Sequence, residues 1–460
     1  MYKALLCSVV CLLCLSCSVG PDYERPLFYN EATIAQELNL QNTASLPCNW
    51  YKQFADSQLT GLVEQGLQNS TDVNIAIARL RQARASLQIN QADYLPQVGL
   101  KGGYNYNKTS KNIGLAADSH YYSAGFDASW ELDLWGKGRQ QIKADAATLS
   151  AAEYTVRDVR LTVAAEVVAD YVYLLQNMEN LRIAEQNVRL QQDILDTVKT
   201  KYQNGLSDET AYSEAQYLLE NTKAQLPVYR EQIEKYRNAL ATVVGVIPSE
   251  LSLKKADAHK LLHKKVEPEL NSFPLSVIRL RPDVAAVEQQ LIAQNALVGK
   301  AVAELYPDIS ISGLWGYAAS GGSKLIRSSS QTYNYAPLLT MPLLDWNKLQ
   351  NNIELQEHIR QEISENYKQT VLNAIAEIKN AQTSFKQNQI AADRKCAAVT
   401  NMQTAAKLTQ QKYINGLIEF SEVARTQQNL LSAQQEYIAS QAQILQSLVA
   451  FYKAIGAPVQ

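Results

Sequence analysis

The chain repeats itself at one fixed offset, and this constrains its folding more than any other feature. Asp72-Val73 returns as Asp283-Val284, Pro96 as Pro307, Gly102 and Tyr106 as Gly313 and Tyr317, and Tyr122 as Tyr333. Leu132, Trp135 and Lys137 return as Leu343, Trp346 and Lys348. Tyr202-x-Asn204-Gly205-Leu206 returns as Tyr413-x-Asn415-Gly416-Leu417, and Gly245 as Gly456. Every pair is 211 residues apart without an insertion, so 72–245 and 283–456 are two copies of one unit of 174 residues. Residues 17–71 precede the first copy, 457–460 form a tail, and 246–282 join the copies. Pro248, Pro268 and Pro274 in that linker interrupt any long pattern.

Each copy reads as helix, two strands, long helix, turn, helix. Asp72 to Tyr94 is rich in Ala, Gln, Arg and Leu without Gly or Pro, and Pro96 ends it. Strict alternation follows. In 97–107, Val98, Leu100, Gly102, Tyr104 and Tyr106 share one face, against Gln97, Lys101, Asn105 and Asn107. In 121–134, Tyr122, Phe126, Trp130, Leu132 and Leu134 oppose Ser123, Asp127, Ser129, Glu131 and Asp133. Copy two repeats this in 308–318 with Ile309, Ile311, Trp315 and Tyr317, and in 332–344 with Tyr333, Tyr335, Leu339, Met341 and Leu343. Period-two alternation over about 10 residues is the mark of a transmembrane β-strand, apolar towards lipid and polar towards a lumen. Four strands of a soluble sandwich are the alternative, although that fold brings more strands and shorter connections. Tyrosines at the far ends, with Trp135 and Trp346 at the near ends, suit two interfacial girdles.

The segments 137–203 and 348–414 then read as very long helices. At 1.5 Å per residue such a helix spans roughly 100 Å. In the first, Leu161, Ala164, Val168, Tyr171, Leu175, Met178, Leu181, Ala184 and Val188 form a coiled-coil-like seam; the second is poorer in apolar residues. Gly205 and Gly416 end these helices, and 208–244 and 419–455 return as αα-hairpins.

Composition narrows the class. Lys and Arg number 43 against 45 Asp and Glu, so bulk electrostatic binding of nucleic acid is excluded; a mean hydropathy of −0.24 excludes a bundle of membrane helices. Residues 1–16 read as a signal peptide: Met1-Tyr2-Lys3, then the apolar stretch Ala4–Leu15. Leu15-Ser16-Cys17 suggests acylation of Cys17, with Cys14 where Leu is usual, and ordinary cleavage nearby is the alternative. Four strands cannot close a barrel, for which about eight are the minimum, so several copies must pool theirs.

Several motifs resemble those of the TolC-like outer membrane factors, in their efflux-lipoprotein branch. They are Cys17-Ser18-Val19-Gly20-Pro21-Asp22-Tyr23-x-x-Pro26, Trp50-x-x-Phe54-x-Asp56-x-x-Leu59, Arg79-x-x-Gln82-Ala83-Arg84-Ala85, Trp130 to Gly136, and both Tyr-x-Asn-Gly-Leu turns. The resemblance covers the whole mature chain. It implies an α+β membrane protein, a homotrimer with a 12-stranded transmembrane barrel and a long α-helical periplasmic barrel. It places the chain in the outer membrane of a Gram-negative-type bacterium, lipid-anchored through Cys17, as a small-compound exit duct. It further implies a periplasmic adaptor and an inner-membrane transporter of the resistance-nodulation-division (RND) type. A duct for type I protein secretion and a non-conducting envelope scaffold are the alternatives.

The expected mechanism is conduction. Lys101, Asn105, Asp127, Glu131 and Asp133 would line the pore, where charged rings set which solutes pass. The resemblance puts a closed gate at the periplasmic tip, hence at Asp208, Glu209, Glu419 and Phe420, and adaptor contacts at the Gly205 and Gly416 turns. Repeated acids there would make a pH- and cation-sensitive constriction; equally, they could be exposed helix N-terminal acids. No Ser/His/Asp or Cys/His constellation indicates an enzyme, and no cofactor is expected. His259-x-x-x-His263 has metal-ligand spacing but lacks a Cys, Asp or Glu partner pattern, and Lys260, Lys264 and Lys265 surround it; no metal is expected. Only Met178, Met341 and Met402 remain in the mature chain, so a methionine relay for soft metals has no support.

Overall fold

The computed structural model describes residues 19–28, 31–38, 46–110, 112, 119–253, 258–264, 274 and 276–459. The signal peptide and Cys17 lie outside them. The chain divides into two compact units, and each draws on both copies. One comprises Met1–Leu27, Arg79–Glu153 and Ala286–Lys368; the other comprises Phe28–Ala78, Tyr154–Ala285 and Gln369–Gln460.

The first unit holds one sheet in the order β1-β2-β3-β4, antiparallel throughout: Gln97–Asn107, Ser119–Leu132, Asp308–Ala319 and Gln331–Thr340. Each copy supplies a hairpin. The limits differ from the alternation most in two strands. β2 runs from 119 to 132 rather than from 121 to 134, because the chain turns there, with Leu134 N–H donating to the Leu132 carbonyl at 2.9 Å. β4 stops at Thr340 before Pro342, which has no N–H to give a ladder, so Met341 and Leu343 fall beyond the strand.

Register settles the faces. Lys101 opposes Gly125, Gly99 opposes Asp127, Asp127 opposes Leu314, and Glu131 opposes Ser310. Directly paired residues share a face, so Lys101, Asn105, Asp127 and Glu131 all project to one side. Val98, Leu100, Tyr104, Phe126, Trp130, Ile311, Trp315, Tyr335 and Leu339 cover the other, and all are exposed.

The helices follow the duplication: Thr71–Asp93 with Pro282–Ala303, Lys137–Gln203 with Trp346–Ile414, and Glu209–Val244 with Phe420–Ala454. Within the second unit the first long helix buries Leu161, Ala164, Val168, Tyr171, Leu175 and Ala184. The seam leaves Met178, Leu181 and Val188 half-buried and continues through Ile183, Asn187, Gln191, Ile194 and Val198. In the second long helix Val371, Ile378, Phe385, Ala392, Val399, Ala406 and Tyr413 are all buried at strict seven-residue spacing. A seven-residue stripe keeps one face of a 3.6-residue helix on its partner only if the pair supercoils left-handedly.

Trp50 and Phe54, in the 3₁₀ turn Trp50–Phe54, are buried, and the Trp50 ring stacks on Tyr452 at 5.1 Å. The buried Arg281 guanidinium ties the start of copy two to its end: Nη1 donates to the Ala454 carbonyl (2.6 Å) and Nη2 to Asp283 and Glu377, each at 2.7 Å.

Candidate functional site

Three regions carry the candidate residues: the sheet, the strand–helix junction and the hairpin tips. On the polar face of the sheet the Lys101 ammonium lies 2.8 Å from Asp127, while Asn105, opposite Tyr121, is exposed. The apolar face is a continuous array of rings and aliphatic side chains. It includes Tyr104 against Tyr122 at 5.0 Å, Phe126 stacked on Trp315, and Tyr333 beside Tyr335. Soluble chains do not leave so large an apolar area to water.

Asp133 is placed differently from the pore-lining expectation. It lies one residue past β2, its side chain is buried, and its carboxylate accepts from the Gly138 and Arg139 backbone N–H groups at 3.2 and 2.9 Å and pairs with the Arg139 guanidinium. The first orphan donors of a helix need such an acceptor, and this one anchors the start of Lys137–Gln203. Trp135 Nε1 donates to the Pro307 carbonyl at 2.9 Å, and its ring stacks on Tyr306 at 4.8 Å, so the junctions of both copies are tied together. Val19 N–H donates to the Trp135 carbonyl at 3.1 Å, fixing the start of the described chain at the same level.

At the tips the two turns are alike. Gly205 and Gly416 both sit at φ +71°, and the following Leu206 and Leu417 N–H groups donate back to Lys201 and Lys412 carbonyls at 2.8 and 2.9 Å. This is the Schellman closure that a left-handed glycine permits. Asp208 caps the return helix, accepting from Ala211 N–H at 2.9 Å. Glu209 is exposed in the first turn, and Glu419 occupies the equivalent cap of copy two without a side-chain hydrogen bond there.

Phe420, the fourth gate candidate, is buried beside its turn. It is 2% exposed, edge-on to Tyr413 at 5.4 Å, and packed in an apolar cluster with Ile194, Val198, Ala211, Ala215 and Val423. Sequence reasoning did not single out Lys201. Its ammonium donates to the Tyr413 and Ile414 carbonyls at 2.9 and 3.0 Å and lies over the Tyr413 ring, capping the end of the other long helix. The duplication offered a partial signal, since Lys201 and Lys412 are equivalent.

The rings of His259 and His263 lie 4.1 Å apart, tilted by 35° to one another. His259 Nδ1 is 3.1 Å from the buried Glu179 carboxylate, a partner 80 residues away, and Lys264 is turned onto the Gln53 and Phe54 carbonyls. Burial acts to raise the Glu179 pKa, but Arg182 and His259 donating to the carboxylate hold it below its ordinary value. Among the described residues no group of three or more His, Cys, Asp or Glu could hold a metal ion, and no helix is long and apolar enough to cross a membrane. Cys48 and Cys396 are free and exposed.

A sheet greasy on one face and polar on the other, joined to two very long helices and their hairpin returns, defines a subunit of an outer-membrane channel. Residues 62–246 and 276–457 match the model of the outer membrane efflux protein family, and the chain belongs to that family. The chain is 26% identical over 453 residues to the cation efflux system protein CusC of Escherichia coli K12, covering 97% of both chains. It is 26% identical over 446 residues to the probable outer membrane lipoprotein SilC of Salmonella typhimurium, covering 94% of each. Its fold superposes on the outer-membrane channel OprN with a TM-score of 0.88 at 28% identity, covering 96% of this chain and 99% of that one. The protein is an efflux channel of the outer membrane.

Proposed function

We propose that three copies of the chain pool their strands into a 12-stranded barrel and form the exit duct of a tripartite efflux pump for small toxic compounds. The observation that carries this is the sheet. β1 and β4 are edge strands, the apolar face is exposed, and unpaired strand edges are not tolerated in lipid. Twelve strands close such edges and leave room for a lumen. Lys101, Asn105, Asp127 and Glu131 line it. Anchoring through acylated Cys17 (as by palmitate) is supported by Val19, held at the Trp135 junction; two residues reach at most about 7 Å further.

The tip acids Asp208, Glu209 and Glu419, each present three times in a trimer, form the constriction, with Phe420 packed behind them. The Gly205 and Gly416 turns are the surface offered to a periplasmic adaptor, which couples the duct to an inner-membrane transporter of the RND type. The duct itself performs no chemical step. Native mass spectrometry of detergent-extracted protein should give a trimer, planar bilayers should show ion conductance, and a deletion strain should become sensitive to small toxic compounds. A monomer without conductance would refute the duct. Unchanged sensitivity with lost export of one protein would assign it to type I secretion instead.

A further inference from the structure

Among the described residues, four charged side chains occupy the polar face of the sheet: Lys101, Asp127, Glu131 and Asp308. The remaining positions of that face are uncharged, among them Gln97, Asn105, Ser129, Ser312, Asn334 and Thr332. Lys101 and Asp127 form an ion pair at 2.8 Å and cancel. The other two acids sit together at the strand–helix junction, Glu131 next to last in β2 and Asp308 first in β3. The Lys137 ammonium lies between them, 2.9 Å from Glu131 and 3.6 Å from Asp308. One cation is thus shared by two carboxylates. Nearby, Arg139 is matched by Asp133, Asp93 and Lys300 line the same recess, and Glu304 also acts on Lys137, so carboxylates outnumber cations at the junction of every chain. Both acids remain about half exposed to the solvent of that face.

We propose that Glu131 and Asp308, held by Lys137, are the residues that set charge selectivity in the strand portion of the duct: an acidic collar that favours cationic over anionic solutes. This rests on the reading of the polar face as a lumen. Three copies repeat the collar around one axis, whereas the Lys101–Asp127 pairs contribute no net charge. The ion pair with Lys137 keeps the carboxylates projecting from the strand ends and offsets part of their charge. A wide pore screens fixed charges within a Debye length, roughly 30 Å at 0.01 M salt, 10 Å at 0.1 M and 3 Å at 1 M. The preference is therefore strong in dilute salt and fades as salt rises.

The test is the potassium-to-chloride permeability ratio of the full-length protein in planar bilayers under a KCl gradient at low salt. The double variant E131Q/D308N should at least halve the ratio, and K137Q should raise it about twofold, with conductance persisting in both. In the wild type the ratio should fall towards unity as salt approaches 1 M, as for any fixed acids of the duct including those at the tip, so the junction variants carry the assignment to the collar. An unchanged ratio in conducting E131Q/D308N, a fall in K137Q, or a wild-type ratio indifferent to salt would each overturn the collar while leaving the duct intact. Absence of conductance in the wild type would overturn the duct and the collar with it.

Discussion

Asp170 shows what one carboxyl contributes on a helix packed in this way. Burial, and next the Glu166 carboxylate one turn away, push its pKa up to about 6. The folded chain therefore holds a proton that the unfolded chain releases. The stabilising contribution is complete below about pH 4 and is lost as pH rises through about 6. Asp170→Asn should raise thermal stability at pH 8 by about 1 kcal/mol, discounted for partial exposure, and change little at pH 4; calorimetry at the two pH values checks this. Two glycines make a second comparison. A Cβ on Gly205 meets nothing within 4 Å, so Gly205→Ala costs only left-handed strain, about 1–2 kcal/mol. At Gly245, also left-handed at φ +80°, the added Cβ would lie 2.5 Å from the Asn69 carbonyl oxygen. Gly245→Ala should lower the melting temperature clearly more than Gly205→Ala does.

Among elements, the long helices depend on a narrow stripe. Phe385 is a large member of the seven-residue series and is 2% exposed, so Phe385→Ala should cost about 3–5 kcal/mol in chemical denaturation. The tip depends on Lys201. Lys201→Ala leaves the last carbonyls of the second long helix without their ammonium, and hydrogen exchange at Asn415 to Leu417 should quicken while the barrel portion is unaffected. Exchange that stays unchanged there would remove Lys201 from any part in holding the tip. The strands and their faces could be read directly from the sequence, because a period of two over ten residues is a local property. Their ends could not: Leu134 and Asp133 continue the alternation, yet the chain has already turned to start a helix.

For the whole molecule, membrane insertion is the property to test. Leu100 and Ile311 lie on the apolar face, and arginine at either position should reduce recovery of oligomer in the outer-membrane fraction, at about 2–4 kcal/mol if the site is near mid-bilayer. Asn105→Arg, on the opposite face, should insert normally. Equal loss from both faces would contradict the two-sided sheet.

The sequence by itself determined the duplication, the four strands, their polar and apolar sides, the glycine turns and the length of the helices, because periodicity and backbone preference act over a few neighbouring residues. Tertiary structure alone decided that Asp133 caps a helix, that Phe420 is buried, that Glu179 meets His259, that Lys201 reaches Tyr413, and that Lys137 is shared between Glu131 and Asp308. In most of these the partners lie tens to hundreds of residues apart, and in the rest local pattern leaves the direction of the side chain open. Such contacts form only when packing brings distant elements together, and no local pattern encodes which distant group will be waiting.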